Sequence, residues 1–321
     1  MSDQFMLSTP KYSIEPTVRG ALNLHRRNTD FINRYNPKHL FDLADNKIKT
    51  KQKARLCQIQ TPHILDIINN IKDVYKLRSI RHIPTIVIKP AQGSGGRGIL
   101  ILNQHGPGQF SKINGEIISF KTICQHLEKI FRGEYTLGGY ADVAMVEQVV
   151  PSHSYLKDYS LDGLPDIRII VFAGYPIMAM LRLATSMSEG KANLHQGAIG
   201  VGLNIHAGQA IKAIQFNRFL STHPDTGRLL SKIQVPFWNK MLHLAAQCYD
   251  MSGLGYLGVD IVLDAHRGPL LLELNARPGL SIQTTNGLSL LPRLKTIENL
   301  CPMNMTPQQR INYVKKEFST L

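Results

Sequence analysis

The chain has 321 residues, 43% hydrophobic and 19% charged, enough to bury a sizeable core as one large domain or two coupled lobes. Its most apolar run, from Ile167 to Ala184, is broken by Arg168, Gly174, Pro176 and Arg182, short of the ~18 unbroken apolar residues of a membrane span. The net charge is +14, of which +9 falls in residues 1–90, and such a balance attracts polyanions such as nucleotide phosphates or acidic peptides.

Residues 1–45 are expected to be a short, basic, helical segment, with a helix over Val18–Tyr35 ended by Asn36-Pro37. A second helix is expected over Lys47–Cys57, with Lys47, Lys51 and Arg55 on one face, and a third over Ile64–Tyr75. From Pro84 the pattern turns to strands: Thr85–Lys89, a glycine loop, Ile99–Leu102 and Ile117–Phe120. A helix across Lys121–Phe131 and a strand over Asp142–Val150 complete a first lobe, 46–149. The second lobe, 150–298, is expected to hold strands near Ile167–Phe172, Ile177–Leu183 and Gln209–Gln215, then a helix across Pro236–Asp250. Strands Tyr256–Leu263 and Pro269–Leu274 follow, and residues 299–321 end in a helix over Pro307–Phe318. The fold class is α+β, with mostly antiparallel sheets in two lobes. Cys57, Cys124, Cys248 and Cys301 have no metal-ligand spacing and read as reduced thiols of a cytoplasmic protein.

The segment TIVIKPAQGSGGRGILIL carries the first candidate site. Gly93, Gly95, Gly96 and Gly98 allow positive φ and let backbone N–H groups approach an anion, with Ser94 and Arg97 among them. Lys89 ends the incoming strand. A dinucleotide fingerprint would open a helix here, yet GILIL is strand-like, and a Walker loop would place its lysine after the glycines. No HRD or DFG sequence follows, as a protein kinase would require. A phosphate-covering hairpin fits best, beside the plainer reading of a flexible turn.

The segment GYLGVDIVLDAHRGPLLLELNARPGL carries the second. Glu273 and Asn275 are two apart on a strand, so their side chains share a face. Asp260 lies among apolar residues of the preceding strand, where a carboxylate needs a cationic partner. Two carboxylates and an amide oxygen suit magnesium, or manganese. An ordinary ion pair with Arg277 or Arg267 is the alternative.

Taken in order, DNKIKTK, IKPAQGSGGRG, MVEQVV, PDIRI, ANLHQGA, GVDIV and LELNARPGL resemble the ATP-grasp superfamily, and within it the alpha-L-glutamate ligase-like branch. The likeness runs from about Asp45 to Gly287. It implies an ATP-grasp fold, two α+β lobes clasping ATP, and an enzyme that joins a carboxylate to an amine through an acyl phosphate. It further implies that Lys47 and Lys89 grip ATP, with Lys51 the alternative to Lys47. Gly93–Gly98 would close over the phosphates, Glu147 and Gln148 would form the hinge that reads adenine, and Asp166 would lie near the ribose. Arg182, Lys191 and Asn193 would contact phosphate and the reacting group, Arg277 the acyl phosphate, and Asp260, Glu273 and Asn275 the metal. Arg168 is either a site residue or a structural partner of a carboxylate. Relatives carry a domain of about a hundred residues before the first lysine, whereas 46 precede Lys47 here, which leaves the substrate open. The expected partner is a small-molecule or acidic peptide substrate, glutamate among the candidates. No zinc finger, basic zipper or RNA-binding aromatic motif supports nucleic acid. A phosphotransferase of the same fold and a non-catalytic nucleotide- or RNA-binding protein are the competing readings.

Overall fold

In a computed structural model, residues 18–93, 95–106, 109–300 and 304–319 are described. The first half of the chain builds a sheet of six strands: β1 (Ile64–Ile68), β2 (Thr85–Pro90), β3 (Leu100–Gly106), β4 (Gln109–Ser111), β5 (Ile117–Ile118) and β6 (Ala144–Gln148). Their order is β1-β6-β2-β3-β4-β5, and every pairing is antiparallel. Helix α1 (Lys47–Leu56) precedes the sheet, with the Asn46 side chain accepting from the backbone N–H groups of Ile48 and Lys49. Helix α2 (Phe120–Phe131) covers one face. It is capped by Ser119 and buries Ile123, Leu127 and Ile130, a spacing that keeps one stripe on the core.

The second sheet has seven strands: β7 (Asp166–Phe172), β8 (Tyr175–Leu183), β9 (Ile199–Leu203), β10 (Ala210–Gln215), β11 (Arg218–Phe219), β12 (Tyr256–Asp264) and β13 (Gly268–Asn275). Their order, β11-β10-β9-β8-β7-β12-β13, is again antiparallel throughout. Helices α3 (Trp238–Ser252), α4 (Ser281–Asn286), α5 (Leu290–Glu298) and α6 (Pro307–Glu317) pack against it. All nine residues of β12 are buried, so any charge on that strand must find its partner inside the protein. The N-terminal segment docks on this second core through Leu22, Phe31 and Ile32. Asn36 secures it, donating to the Tyr256 carbonyl at 2.7 Å and accepting from the Tyr256 N–H at 2.7 Å. The α+β class with two antiparallel sheets and a helical N-terminal segment is as the sequence led us to expect.

Three expectations need correcting. Ile64–Tyr75 is not a helix: Ile64–Ile68 is an edge strand paired with β6, and a 3-10 helix follows over Ile71–Arg78. A short apolar run fits either period, and here strand pairing decided. The N-terminal helix runs over residues 24–35, with six residues, Arg27–Ile32, in π geometry, and part of the segment lies outside the described residues. Strand β9 escaped notice because Gly200 and Gly202 are poor strand formers. Packing demands them, since a Cβ on Gly202 would stand 2.4 Å from the Thr285 carbonyl oxygen. Cys57, Cys124 and Cys248 are free thiols, and Cys301 lies outside the described residues. Among the described residues no helix is long and apolar enough to cross a membrane.

Candidate active site

The glycine loop leaves β2 and is held at its start. The Gln92 N–H donates to Asp142 at 2.8 Å, and Gly93 forms an isolated bridge with Thr136. Gly95, Gly96 and Gly98 adopt φ of +65°, +73° and +74°, the left-handed region that glycine enters without strain. At Gly98 space is also limiting, because a Cβ would come within 2.5 Å of the Tyr135 ring. Arg97 is exposed, and Ser94 lies outside the described residues.

Two contacts tie this loop to the second sheet. Lys47 Nζ donates to the Gly93 carbonyl at 2.6 Å and stands 3.4 Å from Glu273 Oε2 on β13. The Asn193 amide donates to the Gly95 carbonyl at 3.2 Å. Lys47 is therefore the lysine that reaches the loop. Lys51, one helical turn on, points instead into the first sheet, where it pairs with Glu147. Lys89 pairs with the other oxygen of the same carboxylate. Burial would raise the Glu147 carboxyl, but Lys89 and Lys51 outweigh it and hold it below its ordinary range. The Glu147 side chain is thus spent on two lysines, whereas Gln148 is exposed beside it.

On the second sheet, cross-strand register lines up the remaining candidates. Asp166 faces Arg182, and Asp260 faces Arg168 on one side and Glu273 on the other. Arg168 grips Asp260 with two bonds, Nε to Oδ1 at 2.7 Å and Nη2 to Oδ2. Arg182 spans both acids, reaching Asp166 through Nε and Asp260 Oδ2 through Nη2 at 2.8 Å. Burial would raise the Asp260 carboxyl, yet Arg168 and Arg182 keep it well below the carboxylate range. Burial pushes the Asp166 carboxyl up against the pull of Arg182, with the Asp260 charge adding to the rise. Asp166 accordingly faces a guanidinium inside the sheet. Arg277 stands apart from this row, its guanidinium on Asp45 at 2.5 Å and 4.8 Å above the Phe41 ring. Lys191 is exposed and pairs with Glu189 at 3.3 Å.

A row of paired charges on one sheet, faced by a glycine loop from the other, is an arrangement suited to holding a polyphosphate between them. Family comparison agrees with it: the model described as "Sugar-transfer associated ATP-grasp" matches residues 26–299. The chain belongs to this ATP-grasp family. The superfamily implied by the ordered motifs is therefore correct, while the matching model does not name the glutamate ligase-like branch. A search of curated proteins finds no match. Solved structures that are similar include the ATP-grasp ligase PsnB with a minimal precursor, at 14% identity and TM-score 0.45 over 82% of this chain. The chain spans 63% of that protein's length. Another is the D-alanine–D-alanine ligase of Bacillus anthracis with ATP, at 15% identity and TM-score 0.45, covering 88% of this chain and 68% of that one.

The donors of this ATP-grasp chain fit a hard divalent cation. Glu273 and Asp260 are directly cross-strand, and Asn275 lies two residues from Glu273. Hard cations take such carboxylate and amide oxygens. The three are unequal, however. Asp260 Oδ2 already meets Arg168, Arg182 and the Asn275 amide at 3.3 Å, while among the described residues Oδ1 meets only Arg168. Glu273 and the Asn275 oxygen are thus the freer donors, and Asp260 has Oδ1 left to offer. Sequence reading had set these three as equals. It also missed Asp142, the anchor of the loop, and the Asp45 and Phe41 contacts of Arg277, because nothing in their spacing marks them.

Proposed function

We propose that this ATP-grasp protein is an ATP-dependent ligase that joins a carboxylate to an amine through an acyl phosphate. The observation that carries the reading is Lys47, whose ammonium joins the Gly93 carbonyl of the glycine loop to Glu273 of β13. Phosphates lying there would meet Lys47, Lys89 and the loop N–H groups on one side, and Arg168 and Arg182 on the other. Glu273, Asn275 and Asp260 would hold magnesium or manganese, which when bound supplies charge neutralisation at the transferring phosphoryl group. The fixed guanidinium groups are in place before reaction, so little reorganisation opposes charge development. Asn193 would help keep the loop closed, excluding water that would hydrolyse the acyl phosphate. Arg277, held by Asp45 and Phe41, lies at the end of β13, where it would meet the acyl phosphate or the substrate carboxylate.

Amino acids and acidic peptides are the substrates to screen. Stimulated ADP release together with a new amide by mass analysis is the expected result. A phosphorylated product without an amide would instead make the chain a phosphotransferase, and no MgATP binding at all would overturn the reading.

A further inference from the structure

A buried carboxylate needs one cation to neutralise it, and Glu147 has two. The side chains of Lys51, Lys89 and Glu147 are 3%, 8% and 3% exposed, and among the described residues no other acid pairs with either lysine. The cluster therefore encloses one positive charge in excess. Arg267, the other charge that acts on Lys51, adds to the positive potential and is itself committed to Asp264 at 3.2 Å. Taking an ion out of water costs several kcal/mol, so an uncompensated cation marks a place where an anion belongs. The strain shows on Lys51: burial lowers its ammonium to about 8, with Glu147 opposing and Lys89 adding.

Position says which lysine the anion would take. Lys89 is the last residue but one of β2, three residues before Gln92 of the glycine loop. Lys51 sits deeper, and its ammonium also donates to the Pro62 carbonyl at 3.2 Å. Helix α1 aligns Lys47 and Lys51 four residues apart on one face, the first serving the loop and the second Glu147.

We propose that Lys89 passes from Glu147 to a nucleotide phosphate on binding, and that Lys51 is the positioning residue that permits the exchange. This rests on the reading that the cleft binds MgATP. If Glu147 had Lys89 as its only partner, departure of Lys89 would leave a bare buried carboxylate, and the acid would compete with the phosphate for the lysine. With Lys51 in place, the pair left behind is neutral and Lys89 is free to move. The acid stores the lysine in the empty state, and the second lysine lowers the cost of releasing it.

Calorimetric titration with MgATP tests this on the full chain. Wild type is the control for the underlying reading: absence of binding there removes both. Lys51→Met should bind about 10-fold more weakly, since Glu147 then sequesters Lys89 in most molecules. Adding Glu147→Gln to that variant should restore at least about threefold of the loss, because the competing charge is gone. A cluster that served only to staple the fold would show the reverse, with affinity unchanged in Lys51→Met and the double variant no better. Either result, with wild type binding normally, overturns the exchange alone. Should methionine not be tolerated at position 51, Lys51→Gln is read in the same way.

Discussion

Each sheet buries a charge cluster, and the two are built to different balances. On the second sheet Arg168 and Arg182 face Asp166 and Asp260, two cations for two acids, in cross-strand register. On the first, Lys51 and Lys89 share Glu147 alone. Guanidinium forks suit the first task, because they hold a carboxylate by parallel bonds in one geometry. Flexible ammonium groups suit the second, because they can change partner without breaking a planar fit. The balanced cluster is a rigid floor, and the unbalanced one is a site in waiting for an anion.

The largest expected effect would break the floor. Asp260→Asn leaves Arg168 without its carboxylate and Arg182 with Asp166 alone, and should lower stability by about 3–5 kcal/mol in urea unfolding. A loss below about 1 kcal/mol would mean that solvent reaches the cluster and the comparison fails.

Next come the residues that the contrast assigns to chemistry. Glu273→Ala and Lys89→Ala should each lower ADP release by about 10²–10³-fold, as expected for groups acting on developing phosphoryl charge. Their thermal melts should stay close to wild type, unlike that of Asp260→Asn. Wild-type turnover in either variant would take that residue out of the mechanism.

The loop sharpens the comparison, since it lies between the clusters. Among the described residues a methyl group at Gly96 meets no atom within 4 Å, so the φ of +73° is what opposes Gly96→Ala. A cost of about 1–2 kcal/mol is expected from the left-handed backbone, with MgATP affinity falling alongside it. Gly98→Ala should cost more, because it adds the clash with Tyr135. Equal losses at both positions would show that space at Tyr135 is not limiting.

The smallest effect is a pH slope. Lys51 titrates near 8 in the folded protein and near 10.5 when unfolded, so between these values the unfolded chain holds more protons. Stability contributed at this position should therefore rise with pH across that window. Compared with Lys51→Met, wild type should gain about 1 kcal/mol per pH unit just above pH 8. A flat difference would mean that the excess charge is hydrated.

Much of this was legible in the chain. Gly95, Gly96 and Gly98 announced positive φ, and the alternation of Glu273 and Asn275 announced a shared face, because both signals are local. Ile64–Ile68 was not legible, since its five residues become a strand only by pairing with β6. Nor was β9, whose glycines answer to Thr285 and Asn286, more than eighty residues away.

The same division runs through the site. The sequence by itself determined the fold class, and its ordered motifs carried the resemblance to the ATP-grasp superfamily, because both are written in local runs of residues. Tertiary structure alone decided how charges are shared: Lys47 to the loop and Glu273, Lys51 and Lys89 to one acid, Arg168 and Arg182 to Asp260. Which ions pair depends on distances set by strand register and burial, and those distances join residues as remote in the chain as Lys47 and Glu273.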